Sequence, residues 1–322
     1  MTKRTTEAKL DQLGNLNVSG SDPAALAALK KALQDKNNLV VAKAAHLCRE
    51  YSVADYVAEL KAAFQYFADH PHKDKGCFAK KALVQSLYAL DHDDSGFYQQ
   101  AVTLRQAEPV WGGSVDTAVD VRCWAALGLT LARDARVVFD LLPLLHDSEA
   151  QARLGAVKAI ACLPPTTAEL LLRTKVLAGD GDAYVMGECF HQLISIEPDF
   201  SVPFVASYLT DLDQEIMEYA ALALGQCHHQ DAFLALKQAY EESVFEMARR
   251  YYLKALSLHR SREALDFLLD RLPQVSASEG AFIVEALSIH THRLEIRERL
   301  RETVEGACSS ELRALLERYW DE

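Results

Sequence analysis

Apolar residues recur along the chain at helical rather than strand spacing, and the recurrence itself repeats. Ser114, Asp147, Asp180 and Asp213 each stand 33 positions from the next. Seven residues after each come Val121, Leu154, Gly187 and Ala220; nine after, Cys123, Ala156, Cys189 and Leu222; ten after, Trp124, Val157, Phe190 and Ala223. Thirteen after come Leu127, Ile160 and Leu193, and the phase ends at Gln226. A stripe at offsets 7, 10 and 13 lies along one face of an α-helix. The leading Asp or Ser is expected to be the N-cap, its short side-chain oxygen accepting a first-turn amide that otherwise has no partner. Glu149 and Glu215 then fall in the first turn, where the helix dipole favours an acid. A second apolar segment, about one helix long, separates successive anchors at 136–146, 168–178, 202–210 and 232–240. Each unit therefore reads as a helix A, a turn carrying the Asp and a helix B, with Ala156, Gly187 and Ala220 small enough for close helix contact.

The pattern extends outward with looser steps. Leu47, Leu87 and Leu127 are 40 apart, which places the extra residues around Pro71, Gly76, 91–96 and 109–113. Downstream, 245–258 and 280–289 read as further B helices, with A helices at 232–240 and 263–272. The expectation is all-α: an α-solenoid of about eight stacked helical hairpins with no β-sheet. Its parts are an N-terminal tail at 1–22, one continuous run of repeats at 23–292, and a charged capping pair at 293–322.

A 33-residue step suits several repeat families, so the residues must decide. The ankyrin T-P-L-H-x-A run and the tetratricopeptide pattern are both absent. In LLPLLHDSEAQARLGAVKAIACL (141–163), Pro143 sits in helix A, Asp147 in the turn and Arg153 early in helix B. Residues 202–227 keep that order with Pro203 and Asp213, and Val121-Arg122 precedes an Ala-rich helix in VDVRCWAALGL. These units resemble the HEAT repeat and its HEAT-like relatives over about 290 residues, most closely at 110–229. The resemblance implies a stacked solenoid with an extended surface. Its members serve mostly as scaffolds and occasionally as enzymes, so fold alone does not assign a role.

Charge adds a partition. Eight basic side chains face seventeen acidic ones over 111–240, a net of −9, against +3 over 1–50, −2 over 51–110 and −4 over 241–322. The acidic middle offers a surface for a basic partner, or supplies turn and cap residues for folding and solubility. Either way the field opposes a general nucleic-acid binder, which needs a basic stripe against phosphates. No apolar run approaches the roughly 18 residues of a membrane span, and 1–20 lacks the apolar core of a secretory signal. Seven cysteines without a C-x-x-C pair suit a reducing, cytoplasmic setting.

The local exception to the acidity is 245–260, FEMARRYYLKALSLHR. On a helix, Arg249, Arg250 and Lys254 share a side with Glu246, and Tyr251 lies at its edge. This patch could hold an acidic peptide or a phosphate, or be a solvated face with Glu246 paired to Arg250. Arg122, Lys158, Glu188 and His191, off the core stripe at offsets 8 or 11, are candidates to line the same partner-binding groove.

Catalytic signatures are missing. Asp91-His92-Asp93-Asp94-Ser95-Gly96 matches the first half of an EF-hand loop, but position 12 is Val102 where calcium chemistry uses a bidentate Glu, so an ordinary turn is expected. No His-Glu dipeptide occurs, which removes the zincin motif and the His-Glu pairs of the HEAT-like diiron hydroxylases. Cys48, Cys77, Cys123, Cys162, Cys189 and Cys227 read as small core residues, and no phosphate-cradling or nucleophile-elbow motif is present. Trp124 falls at a core offset, Trp111 is either a packed linker or an exposed anchor, and Trp320 is expected to seal the last unit. The leading expectation is a non-enzymatic scaffold that binds a protein partner on the concave face, with no cofactor, metal, nucleic acid or membrane involved. Two alternatives follow from resemblance: a HEAT-like DNA-repair glycosylase, opposed by the net charge of −12, and an accessory subunit of the bilin-lyase type.

Overall fold

The computed structural model describes residues 2–16, 22–306 and 310–320 of the 322-residue chain, and its packing separates at Leu163 and Pro164 into two compact units. Unit 1 opens with α1 (Thr2–Gly14). Four hairpins follow: α2 (Pro23–Leu33) with α3 (Asn38–Glu50), α4 (Val57–Asp69) with α5 (Phe78–Ala89), α6 (Ser95–Val102) with α7 (Val119–Leu131), and α8 (Val137–Leu144) with α9 (Ala150–Ala161). Two short strands, β1 (Ala107–Val110) and β2 (Gly113–Asp116), interrupt the third. Unit 2 holds five hairpins: α10 (Pro165–Ala178) with α11 (Ala183–Ile196), α12 (Pro198–Ala206) with α13 (Gln214–Gly225), α14 (Gln230–Glu242) with α15 (Glu246–His259), α16 (Arg262–Arg271) with α17 (Ala277–Leu287), and α18 (Leu294–Gly306) with α19 (Ser310–Trp320).

Within each unit the second helix of every hairpin packs on the second helix of the next. The series is α3–α5–α7–α9 in unit 1 and α11–α13–α15–α17–α19 in unit 2, with first helices forming an outer row such as α12–α14 and α16–α18. This is the arrangement of an α-solenoid, in which one hairpin cannot bury its own apolar face and its neighbour completes the core. The second helices begin 31 to 33 residues apart from α7 onward, and 40 or 41 apart before it. The stripe explains the packing: Val121, Leu154, Gly187, Ala220, Val157, Phe190, Ala223, Ile160 and Leu193 are all buried, each large apolar one contributing about 1.5–3 kcal/mol. Trp124 and Leu127 are half-buried, Trp124 standing against Tyr88. At Gly225 the α13 backbone approaches α15 so closely that an added Cβ would lie 2.4 Å from the Ala255 carbonyl oxygen.

The anchors behave differently from the expectation that each caps a helix. Asp213 does cap α13, accepting the Glu215 and Ile216 amides at 2.9 and 3.4 Å. Asp147 and Asp180 sit two residues ahead of the caps Glu149 and Asp182, and accept those residues' own amides at 3.0 and 2.9 Å. Asp35, Asp116 and Asp211 do the same for the cap residues Asn37, Ala118 and Asp213. The recurring device is thus an Asp that pins the turn before the cap, a local side-chain to backbone bond that short acids form readily.

Two further expectations are corrected. Residues 2–14, read as part of a tail, form α1, which packs on α3, buries Leu13 and pairs Lys9 with Asp35 at 2.6 Å. The segment expected as a loop at 109–113 belongs to an antiparallel hairpin pairing Ala107 with Asp116 through to Val110 with Gly113. Four-residue strands are too short to show alternation, but Trp111-Gly112 closes them as a two-residue turn with Gly112 at φ +87°. Pro109 pairs with Ser114, next to the turn-flanking pair, where an antiparallel ladder needs no amide from it. The hairpin base is held by the Gln106 amide donating to Asp116 at 3.0 Å and the Thr117 amide donating to the Gln106 carbonyl at 2.9 Å.

Candidate partner-binding site

The structure scatters the residues singled out in the sequence. Arg122, read as a groove residue, is fully buried and leaves the surface altogether. Its Nη1 donates to Asp116 at 2.6 Å and to the Leu104 carbonyl at 3.0 Å, Nη2 donates to Asp147 at 3.2 Å, and Nε lies 3.1 Å from the same carboxylate. Arg105 reaches Asp147 from outside at 2.6 Å. A buried guanidinium needs this many acceptors, because an unpaired one in a low-dielectric interior costs several kcal/mol. Burial pushes Asp116 up, but the Gln106 and Ala118 amides and Arg122 outweigh it and hold the carboxyl below its ordinary value. A second buried pair, Lys80 with Asp74 at 3.1 Å, anchors the start of α5, where Asp74 also accepts the Ala79 and Lys80 amides. These charges are internal ties between turns of unit 1.

The basic patch on α15 is neutralised residue by residue. Arg249 meets Glu279 at 2.5 Å and lies over the Tyr240 ring; Arg250 meets Glu246 at 2.7 Å and lies over Phe282; Lys254 meets Glu218 at 3.4 Å. Glu279 comes from α17 and Glu218 from α13, so two of these pairs tie α15 to its neighbours on either side. Lys158 and His191 are exposed on α9 and α11, and Glu188 is half-buried and accepts from Gln192 at 2.8 Å. Tyr251 does not join the arginines.

Tyr251 instead lines a cleft of about 460 Å³ where the α12–α13 and α14–α15 turns lie side by side. Around it stand Leu212, Val244, Phe245, Met217 and Met247. Leu212 is 100% exposed, Val244 85% and Phe245 73%. Water-exposed apolar side chains of this size, grouped on one patch, mark interaction surfaces. Phe245 is also misplaced by local rules: it occupies the N-cap of α15, with no side-chain cap bond, where the second helices α11, α13 and α17 use Asp182, Asp213 and Ser276. A phenylalanine there contributes nothing to the helix end. Asp211 and Glu242 line the cleft, and Asp213, Glu215, Glu241 and Glu246 are exposed on the adjoining helix ends; of these six only Glu246 has a cationic partner among the described residues, Arg250. Apolar residues at two consecutive turns, at Leu212 and Val244-Phe245, were the signal in the sequence, masked because they fall outside the helical stripes.

Other chemistry is quiet. Burial raises the thiols of Cys48 and Cys189 to about 12 and of Cys123 to about 11, which keeps them protonated and weakly nucleophilic. Cys162, expected in the core, is exposed. Asp94 caps α6 through the Phe97 amide at 3.1 Å and pairs with Lys61, and among the described residues no group of three or more His, Cys, Asp or Glu side chains is arranged to hold a metal ion. Among the described residues no helix is long and apolar enough to cross a membrane. Trp111 stands fully exposed at the tip of the β-hairpin, and Trp320 is buried in the last hairpin.

No protein-family model matches the sequence, and no curated protein matches it. Among solved structures the chain is similar to Kap121p bound to RanGTP, at 16% identity over 97% of this chain and 39% of that one, with a TM-score of 0.47. It is similar to the CpcE–CpcF complex of phycocyanin lyase from Nostoc sp. PCC7120, at 14% identity over 90% and 94% of the two chains and a TM-score of 0.34. It is also similar to human deoxyhypusine hydroxylase in complex with glycerol, at 17% identity over 80% and 97%, with a TM-score of 0.32. The stacked hairpins of the chain itself make it an α-solenoid of helical pairs.

Proposed function

We propose that the protein is a non-enzymatic binding scaffold whose second unit receives a basic segment of another protein, anchored by apolar side chains in the Leu212–Phe245 cleft. The observation that carries this reading is the exposure of Leu212, Val244 and Phe245 together on one patch, beside acids, Asp211 and Glu242 among them, that have no cationic partner among the described residues. Desolvated apolar anchors supply affinity, and complementary charge supplies encounter rate and orientation. The surface differs from the one expected on the repeat face, because Arg122 is internal and the α15 cations already have acidic partners.

The test compares two baits in lysate of the source cells, the natural protein and a Leu212→Ser/Phe245→Asp variant of matched circular dichroism. A discrete protein retained by the first, absent from the second, and released between about 50 and 300 mM salt is the expected result. Identical retained proteins on both baits would remove the cleft from the function. Retention of nucleic acid alone would overturn the scaffold reading.

A further inference from the structure

Unit 2 carries a second concentration of charge, of opposite sign, on the edge where one hairpin connects to the next. Arg260 follows the last turn of α15, Arg262 is the first residue of α16, and Arg293 immediately precedes α18. Helices α16 and α18 are packed neighbours running in the same sense, so their positive N-terminal ends lie together. The three arginines line a cleft of about 530 Å³. The two acids of the cleft pair elsewhere than with Arg260 and Arg293: Arg262 forms ion pairs with Asp266 and Glu295 at 3.7 and 3.9 Å, and Asp266 is also engaged by Arg299 from α18. Among the described residues Arg260 and Arg293 have no side-chain hydrogen bond or ion pair.

Two details sharpen this. Arg260 holds left-handed backbone at φ +57°, the position after a helix that normally selects glycine. An arginine there bears the local steric cost of left-handed backbone. His290, whose carbonyl accepts the Arg293 amide at 2.8 Å, is fully buried, donates through Nε2 to the Ser257 carbonyl at 2.9 Å, and has no partner for Nδ1 among the described residues.

We propose that this cleft binds a phosphate monoester, with Arg260 and Arg293 as the ligating guanidiniums, Arg262 closing the rim, and the α16 and α18 N-termini adding their dipoles. Guanidinium pairs match the geometry of tetrahedral oxyanions, and helix N-termini favour the same charge. The site is independent of the apolar cleft between the α12–α13 and α14–α15 turns.

The experiment is a titration of the full chain with inorganic phosphate and with O-phosphoserine, followed by ³¹P NMR and calorimetry against sodium chloride of equal ionic strength. Arg260→Gly relieves the left-handed backbone and keeps the fold, and Arg293→Gln removes the second charge on the opposite turn. Saturable binding that weakens about tenfold or more in each variant is expected. Tighter binding of phosphoserine would assign the site to a phosphorylated side chain, and equal affinity to the free anion. No saturable binding of either probe, or binding unchanged in both variants, would overturn the proposal.

Discussion

Arg122 and Asp147 form a closed ion pair in the interior of unit 1, with Nε of the arginine 3.1 Å from Oδ2 and both side chains fully buried. The pair joins α7 to the turn before α9, and Asp116 and Arg105 complete it from either side. Two consecutive hairpins are thereby pinned at their turns, where apolar packing alone leaves the backbone free to slide. The sequence places both residues in adjacent repeats, but nothing in the spacing says that they meet.

Replacing Arg122 by Ala leaves two buried or half-buried carboxylates without their main cation. The expected loss is about 3–5 kcal/mol of unfolding free energy in urea, with Arg122→Lys losing less because it keeps the positive charge, but still losing some because a single ammonium cannot reproduce the two-pronged contact. A loss below about 1 kcal/mol would show that Arg105 satisfies Asp147 by itself.

Gly225→Ala tests the tightest helix contact. The new methyl group would meet the Ala255 carbonyl, backbone that cannot swing aside, so a loss of about 1–3 kcal/mol is expected. Gly181→Ala, with open space at its Cβ, is the control and should leave the melting temperature unchanged.

Acid sensitivity follows from two buried imidazoles, His259 at the end of α15 and His290 in the turn that follows α17. Burial lowers the pKa of His259, against a bond to the His229 carbonyl, and His228 adds to the lowering. Burial also lowers that of His290, with Arg293, Arg260 and His292 acting in the same direction. The unfolded chain therefore binds protons that the folded chain refuses. Stability is complete above the unfolded imidazole pKa of about 6.5 and declines as pH falls through it. Melting temperature should fall between about pH 7 and 5.5, and the slope should flatten in a His259→Asn/His290→Gln variant even if that variant melts lower throughout. An unchanged slope would move the acid response to other groups.

Phe245→Asp should separate stability from binding. An Asp at the N-cap of α15 accepts first-turn amides and is expected to raise stability by about 1 kcal/mol, while the partner captured by the natural protein is lost. A lowered melting temperature would show that Phe245 packs within the unit and is not held for contact.

The period of the fold was legible in residues that act locally. The Val121–Leu154–Gly187–Ala220 series is buried as its spacing requires, since a stripe at helical intervals must face the core whatever packs on it. Asp213 was legible as a cap for the same reason, because its partners are two and three residues away. The candidate site was less legible. In the sequence Phe245 reads only as the start of a basic helix, and its exposure at the cap is not legible there, because exposure is a property of the neighbouring turn as much as of the residue.

Helical periodicity, hairpin order and the resulting all-α solenoid were determined by the sequence itself, through intervals of three, four and about thirty residues that local hydrogen bonding and side-chain direction convert into helices and turns. Tertiary structure alone decided the rest: that Arg122 turns inward to Asp147, that Arg249 and Lys254 spend their charge on Glu279 and Glu218, and that Leu212 and Phe245 share one open cleft while Arg260 and Arg293 share another. Each of these joins side chains 25 to 36 residues apart, a separation across which only the packing of one hairpin on the next sets the distance.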